Sequence, residues 1–269
     1  MNNKNILAGM ALVLGLAIPS LAFGASDREE PKHPPQGWPH EKIIGAHYDR
    51  AAAQRGFQVY KEVCQSCHSL NLVAFRQLEG IGFSEPEIKA IAASFTVVGE
   101  PDMETGDVND RPGKPFDYVP SPYANPEAAA ASNNGAVPPD LSLMVKAREG
   151  GASYLYSILI GYHDATAEDL KHIPGGKIPD GSYYNPYKAG HLIAMPPPLV
   201  DEQVSYTEGQ PTATVEQMAY DVTTFLAWAA EPKLEQRKSM GFLIVGFLLI
   251  VCGLLFFSYK RISKRVLGH

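Results

Sequence analysis

The sequence predicts a mostly α-helical domain with long loops, followed by one C-terminal transmembrane helix. Three observations carry this. Apolar residues recur at helical spacing over residues 50–63 and 214–230, and no alternating apolar–polar run is long enough to demand a substantial sheet. Residues 240–259 form a 20-residue stretch without a charge. At about 1.5 Å per residue it spans the roughly 30 Å hydrocarbon layer of a membrane. With an apolar segment at each end of the 269 residues, one soluble unit large enough for a real core remains.

The chain opens with Met1 to Lys4, one positive charge, then an apolar run from Ile6 to Ile18 and a small-residue site at Ala22-Phe23-Gly24. This is the pattern of a secretory signal peptide, expected over residues 1–24. It places residues 25–239 outside the cell membrane, 240–259 in it and 260–269 inside. The positive flanks of the span, Lys233, Arg237 and Lys238 before it and Lys260, Arg261, Lys264 and Arg265 after it, are too balanced to fix that orientation.

Residues 26–40, polar and proline-rich, read as an extended arm. Asp49 is a good N-cap for a helix over 50–63, with Phe57 and Tyr60 on one face and Gly56 inside it, a position suited to a close helix crossing. Ser84 and Pro86 start a helix over 85–93. Residues 99–134 hold six prolines and many acids and read as a long surface excursion. Short helices are expected at 140–148 and 152–162, and a loop rich in glycine and proline over 173–198. Thr214-Val215-Glu216-Gln217 is a capping box opening a helix to about Ala230, whose stripe is Met218, Val222, Phe225 and Leu226. That helix is expected to cross the one at 50–63 at Gly56.

The chemistry-bearing motif is Cys64-Gln65-Ser66-Cys67-His68. Offsets of i, i+3 and i+4 put Cys64, Cys67 and His68 on one helical face. The spacing is that of a covalent haem site, in which two thioethers hold the porphyrin and the histidine ligates iron. A thioredoxin-like dithiol lacks the adjacent histidine and would follow a strand. A zinc site would need a second cysteine pair. The one other cysteine, Cys252, lies in the span, so no disulfide forms inside the chain once haem is attached. For a second axial ligand, Met195 stands out, because Pro196-Pro197-Pro198 stiffens its backbone; Met103, Met144 and Met218 sit in a loop or on helix faces. His163, His172 and His191 are the rival ligands. A thioether would raise the potential and favour ferrous iron.

All 29 acids but only 18 of the 23 Lys and Arg lie within residues 25–239, a balance of −11. Such a surface repels nucleic acid and attracts a basic partner. Candidates for a negative rim are Glu100, Asp102, Glu104, Asp107 and Asp110 of the excursion, with Glu79, Glu85 and Glu87.

Beyond the haem motif, the chain carries Ala131-Ser132-Asn133-Asn134-Gly135-Ala136-Val137-Pro138-Pro139-Asp140-Leu141-Ser142, Arg148 before Gly150-Gly151, Gly161-Tyr162, Tyr184-Asn185-Pro186-Tyr187 and Met195-Pro196-Pro197-Pro198-Leu199. In these stretches and its single anchor it resembles cytochrome c1, the haem subunit of the cytochrome bc1 complex (ubiquinol–cytochrome c reductase), of bacterial type. The resemblance covers nearly the whole mature chain. It implies a cytochrome c-like haem domain with loop insertions, one haem c, His68 and Met195 as axial ligands, and Arg148 near a haem propionate. It also implies an electron-transfer subunit, itself not catalytic on quinol, that passes single electrons from a Rieske iron-sulfur protein to a soluble cytochrome c. Its partners would be cytochrome b and the Rieske subunit in a dimeric complex of the bacterial inner membrane, with the haem domain in the periplasm. The extra cysteine pair that braces the methionine loop in some bacterial members is absent here. Alternative readings are an anchored cytochrome of another respiratory or photosynthetic enzyme, or a haem sensor or peroxidase with an open iron.

Overall fold

The computed structural model describes residues 28–267, and the expected signal peptide lies outside them. The fold is mostly α. Its helices are α1 (Arg50–Glu62), α2 (Glu85–Ala93), α3 (Pro126–Ser132), α4 (Met144–Ala147), α5 (Gly151–Ile160), α6 (Val215–Ala230) and α7 (Leu234–Leu267). Six short strands pair as three two-stranded antiparallel sheets: β1 (Leu70–Ala74) with β4 (Tyr118–Val119), β2 (Thr96–Pro101) with β3 (Val108–Pro112), and β5 (Tyr183–Tyr184) with β6 (Leu192–Ile193).

The core forms where α1 crosses α6. Asp49 caps α1 by accepting the Ala52 amide at 3.0 Å, and Ala52, Ala53, Gly56, Phe57, Val59 and Tyr60 face inward. A Cβ at Gly56 would stand 1.9 Å from the Asp221 carbonyl oxygen and 2.8 Å from Phe225 Cβ. The crossing expected from sequence is therefore present, with α6 seated on the glycine. Next to it, Arg55 donates to both carboxylate oxygens of Asp221 at 2.8 Å, and Tyr206 and Gln217 donate to the same group. That carboxylate is fully buried, and these four bonds offset the cost of taking it out of water.

Several elements differ from expectation. From Met218 to Ala230 α6 is buried on every side rather than along one stripe, because α4 and α5 cover the faces that α1 leaves. Its capping box is half formed. Thr214 accepts the Gln217 amide, but the Gln217 side chain is drawn to Asp221 instead. The helix expected at 140–148 shrinks to α4, since Asp140 spends its carboxylate on a turn. The 99–134 excursion contains most of the β2–β3 hairpin, β4 and α3. The hairpin tip is closed by Asp102, which accepts the amides of Glu104 and Thr105.

The N-terminal arm lies along α5: Trp38 Nε1 donates to Ser153 at 2.8 Å and the Lys32 amide to Ser157 at 2.6 Å. Past it, His40 is buried between Trp38 and Tyr48 with neither ring nitrogen hydrogen-bonded. Burial, with the Lys238 ammonium nearby, pulls this imidazole down to about 4. α7 is one continuous helix of 34 residues that contains the expected span, long and apolar enough to cross a membrane.

Two outcomes follow. Gly56→Ala should cost about 3 kcal/mol or more, since the new methyl meets backbone rather than a movable side chain; thermal unfolding of the purified chain measures it. For His40, the unfolded chain takes up a proton near pH 6.5 that the folded chain refuses until about pH 4. Acidification through that window therefore favours unfolding, by up to roughly 3 kcal/mol. His40→Phe should lose less stability than the parent between pH 6.5 and 4 in melts recorded across pH.

Candidate functional site

α1 delivers the cysteine motif. After Val63 closes the helix onto Val59, the chain tightens into a 3-10 turn over Cys64–Ser66. The amides of Cys67 and His68 both return to the Cys64 carbonyl, at 3.1 and 2.9 Å. The motif is thus a tight turn on the end of α1 rather than a continuation of it. Cys64, Cys67 and His68 are half-buried, and both thiols are free of disulfides. Burial pushes the Cys64 thiol up to about 12, with Cys67 adding to the effect. That is the opposite of the lowered pKa a reactive dithiol uses. Among the described residues no group of three or more His, Cys, Asp or Glu side chains could hold a metal, which leaves the zinc reading without donors.

His68 has a defined tautomer. Its Nδ1 lies 2.8 Å from the Pro139 carbonyl oxygen. A carbonyl only accepts, so Nδ1 carries the hydrogen and Nε2 presents its lone pair. Burial lowers the imidazole pKa, against the opposing pull of the Pro139 carbonyl and Asp140, so the ring is held in the neutral form a ligand needs. The Pro139 carbonyl is itself fixed through Asp140, which accepts from Ser69 Oγ, the Asn71 amide and the Ser142 amide, each at 2.8 Å. Burial alone would raise Asp140, and these donors outweigh it, leaving the carboxyl below its ordinary range. The Leu72 amide then donates to Ser142 Oγ, and the Leu141 amide to the Ser69 carbonyl. Residues 69–72 and 139–142 are in this way laced together beneath the histidine. On the other side, Tyr60 of α1 donates to the His68 carbonyl at 3.1 Å.

Met195 is half-buried and packs on the edge of the same apolar core that Cys64 touches. The β5–β6 pair holds the chain before it, and Tyr162 donates to its carbonyl at 3.0 Å. The three rival histidines are gathered around Tyr184 and one another. His163 sits edge-on to Tyr184 with Nδ1 at 3.0 Å from the Gly161 carbonyl, Tyr184 stacks on the buried His191, and His172 meets His191 edge-on. A cavity of about 430 Å³ opens between Tyr162, Tyr184, Pro197 and Leu199; neither the cysteines nor His68 line it. Arg148 is exposed at the end of α4, donating to the Ala147 carbonyl. Among the described residues no carboxylate lies within ion-pair distance of it.

Pro139, Asp140, Tyr60 and Tyr162 have no assigned role in a reading of the sequence alone. Asp140 carries an ambiguous signal, because an Asp ahead of Leu-Ser suits an Asx turn and a helix start equally. For the tyrosines there is none, because their partners are backbone carbonyls distant in sequence.

Comparison with known proteins decides among the haem readings. The model of the cytochrome C1 family matches residues 38–266. The chain belongs to the cytochrome c1 family. It is 44% identical to the cytochrome c1 of Rhodospirillum rubrum over 259 residues, covering 93% of this chain and 92% of that one. It is 47% identical over 239 residues to cytochrome c1 1, a mitochondrial heme protein of Arabidopsis thaliana, covering 89% and 73%. A third relative, the mitochondrial cytochrome b-c1 complex catalytic subunit of Candida albicans, is 49% identical over 247 residues, covering 88% and 82%. Membership in the cytochrome c1 family agrees with the mostly α domain and single long apolar C-terminal helix.

Tyr162, just past the end of α5, ties the Met195 segment to the helices through the Met195 carbonyl. Tyr162→Phe should remove about 1 kcal/mol of local stability. Amide exchange across residues 193–199 should then speed up roughly fivefold with little change in the global melt, as hydrogen–deuterium exchange would record.

Proposed function

We propose that this chain is the membrane-anchored electron carrier of a quinol–cytochrome c oxidoreductase, holding one covalent haem c. The observation that carries the reading is the 2.8 Å bond from His68 to the Pro139 carbonyl, which leaves Nε2 unprotonated on a histidine next to two cysteines. Haem c, when bound, supplies a one-electron iron couple. Cys64 and Cys67 would hold it through thioethers, and His68 Nε2 would be one ligand to its iron. Met195 would be the other; its soft thioether would raise the potential, and Tyr162 and the three prolines would keep it in place. Arg148, which pairs with no carboxylate among the described residues, would be the partner for a propionate, where a guanidinium offsets the cost of burying that charge. In this reading the chain itself does no chemistry on quinol, whose oxidation belongs to the partner subunits.

In this reading residues 1–24 export the domain, 25–239 form the haem domain in the periplasm, 240–259 cross the bacterial inner membrane and 260–269 remain inside. Electrons arrive from a Rieske iron-sulfur protein and leave to a soluble cytochrome c, in a dimeric complex with cytochrome b. All eight acids proposed for the rim are exposed, and those on the β2–β3 hairpin and its tip project along one loop. A basic acceptor would be steered to such a surface, and more weakly as salt rises.

Met195→Leu should lower the midpoint potential by on the order of 0.1 V or more, within the roughly 0.8 V that axial ligands command, and let carbon monoxide bind the reduced protein. Redox titration and difference spectra read both. An unchanged potential removes Met195 from the site. Gentle purification from membranes, followed by a search for cytochrome b and a Rieske protein in the same fraction, tests the assignment to the complex.

A further inference from the structure

Residues 42–47 form a short loop that the anchor reading does not use. Its two isoleucines, Ile43 and Ile44, are 79% and 78% exposed, more than any other large apolar residue outside α7 except Met103. Both ends of the loop are tied to the first turns of α7. Lys238 Nζ donates to the carbonyls of His40 and Lys42 at 2.9 and 2.7 Å. At the other end, Glu235 accepts the Tyr48 amide at 2.8 Å and Arg50 Nη2 at 3.0 Å. Lys238 lies two residues ahead of Met240, where the uncharged run begins, an axial rise of about 3 Å. The loop is therefore held at the level where α7 turns from polar to apolar. Its base is firm, since His40 and Tyr48 are buried and stacked on each other.

We propose that this loop is a second membrane contact, with Ile43 and Ile44 entering the boundary between headgroups and acyl chains beside the anchor. The proposal rests on the reading of α7 as a membrane span. Two exposed isoleucines leave apolar surface in water that an acyl environment would take up, and Lys238 holds their loop close to where the span begins. Lipid fits better than a protein. A stable protein interface needs roughly 800 Å² from each partner, far more than two side chains offer, whereas a few apolar residues among cations suffice for an interfacial contact. Exposed Lys42 and His47 flank the pair in the chain and would meet anionic headgroups. The contact would give the haem domain two fixed points on the membrane instead of one.

The test uses the full-length haem protein in nanodiscs of phosphatidylcholine with phosphatidylglycerol, on a Cys252→Ser background. A nitroxide is placed at Ile43→Cys or Ile44→Cys, with Met103→Cys as the aqueous reference and Leu249→Cys as the mid-span reference. Collision with oxygen and with a water-soluble nickel chelate is measured by electron paramagnetic resonance, after the haem spectrum has shown each variant to be folded. The expected result is loss of chelate access at 43 and 44 with oxygen access retained, at a depth shallower than 249. Labels at 43 and 44 that behave like the one at 103, while 249 is deep, overturn the loop contact and leave the anchor standing. Chelate access at 249 overturns the anchor reading and this proposal with it. Labels that are aqueous in nanodiscs but shielded from both reagents in the assembled complex show a protein occupant, and overturn the lipid assignment.

Discussion

Gly56 gives up a side chain so that the backbone of α6 can lie against α1, and most of the domain depends on that contact. With the two helices this close, Arg55 reaches both oxygens of Asp221 from the neighbouring position, so residues 55 and 56 dock one residue of α6 by charge and by shape together. The ion pair does not by itself argue for stability, because burying both charges costs several kcal/mol per ion before the pairing returns it. It does fix register. A shift of α6 along α1 would leave a buried carboxylate without its guanidinium, a far worse state than the native one. Phe57, Tyr60 and Phe225 then pack around the crossing, and α1 emerges in a set direction at Cys64.

That direction is why a motif of five residues suffices to mark the site, while the residues that make it work are scattered. Cysteine and histidine spacing is local, and a turn of 3-10 helix serves it as well as the α-helix the spacing suggests. The tautomer of His68 is not local. It depends on a carbonyl 71 residues away, placed by a carboxylate that could equally have begun a helix. Sequence periodicity has no access to such a choice, because Asp favours both an N-cap and an Asx turn. The same competition explains Gln217, which fits a capping box and instead completes the hydrogen bonds of Asp221. In each case a buried polar group elsewhere needed a partner, and an unpaired one would cost more than the local motif returns.

What was legible follows the same division. Helix ends at Asp49, Ser84 and Thr214 are set by side chains within three residues of the helix they cap, and they fall where the sequence places them. The strands do not announce themselves, because β4, β5 and β6 have two residues each and two residues cannot show a period. The all-round burial of α6 was hidden by Asp221, Thr223 and Thr224, which look like a solvent face yet lie inside. A polar residue inside a helix is ambiguous until its partners are known. For Asp221 these are Arg55 and Tyr206, on other segments.

The junction between domain and anchor extends the argument to the whole molecule. A three-residue break, Glu231 to Lys233, separates α6 from α7, short enough to be a hinge, but it is held from both sides. Tyr48 donates to the carbonyls of Ala227 and Glu231 at 3.1 Å, and Leu234 is buried in the core. The Glu231 carboxylate accepts from Arg237 of the anchor and from Lys146 of α4 at 3.0 Å. Single surface pairs contribute little, but here they act on both sides of a break already closed by apolar packing and backbone bonds. Tilting α7 would have to disrupt the pairs, the packing and the tyrosine bonds together. α4 carries Arg148 at its end, so the residue offered to a propionate and the first turn of the anchor belong to one connected piece. The direction of the cysteine motif relative to α7 is then set by the fold of residues 40–50 and 227–238.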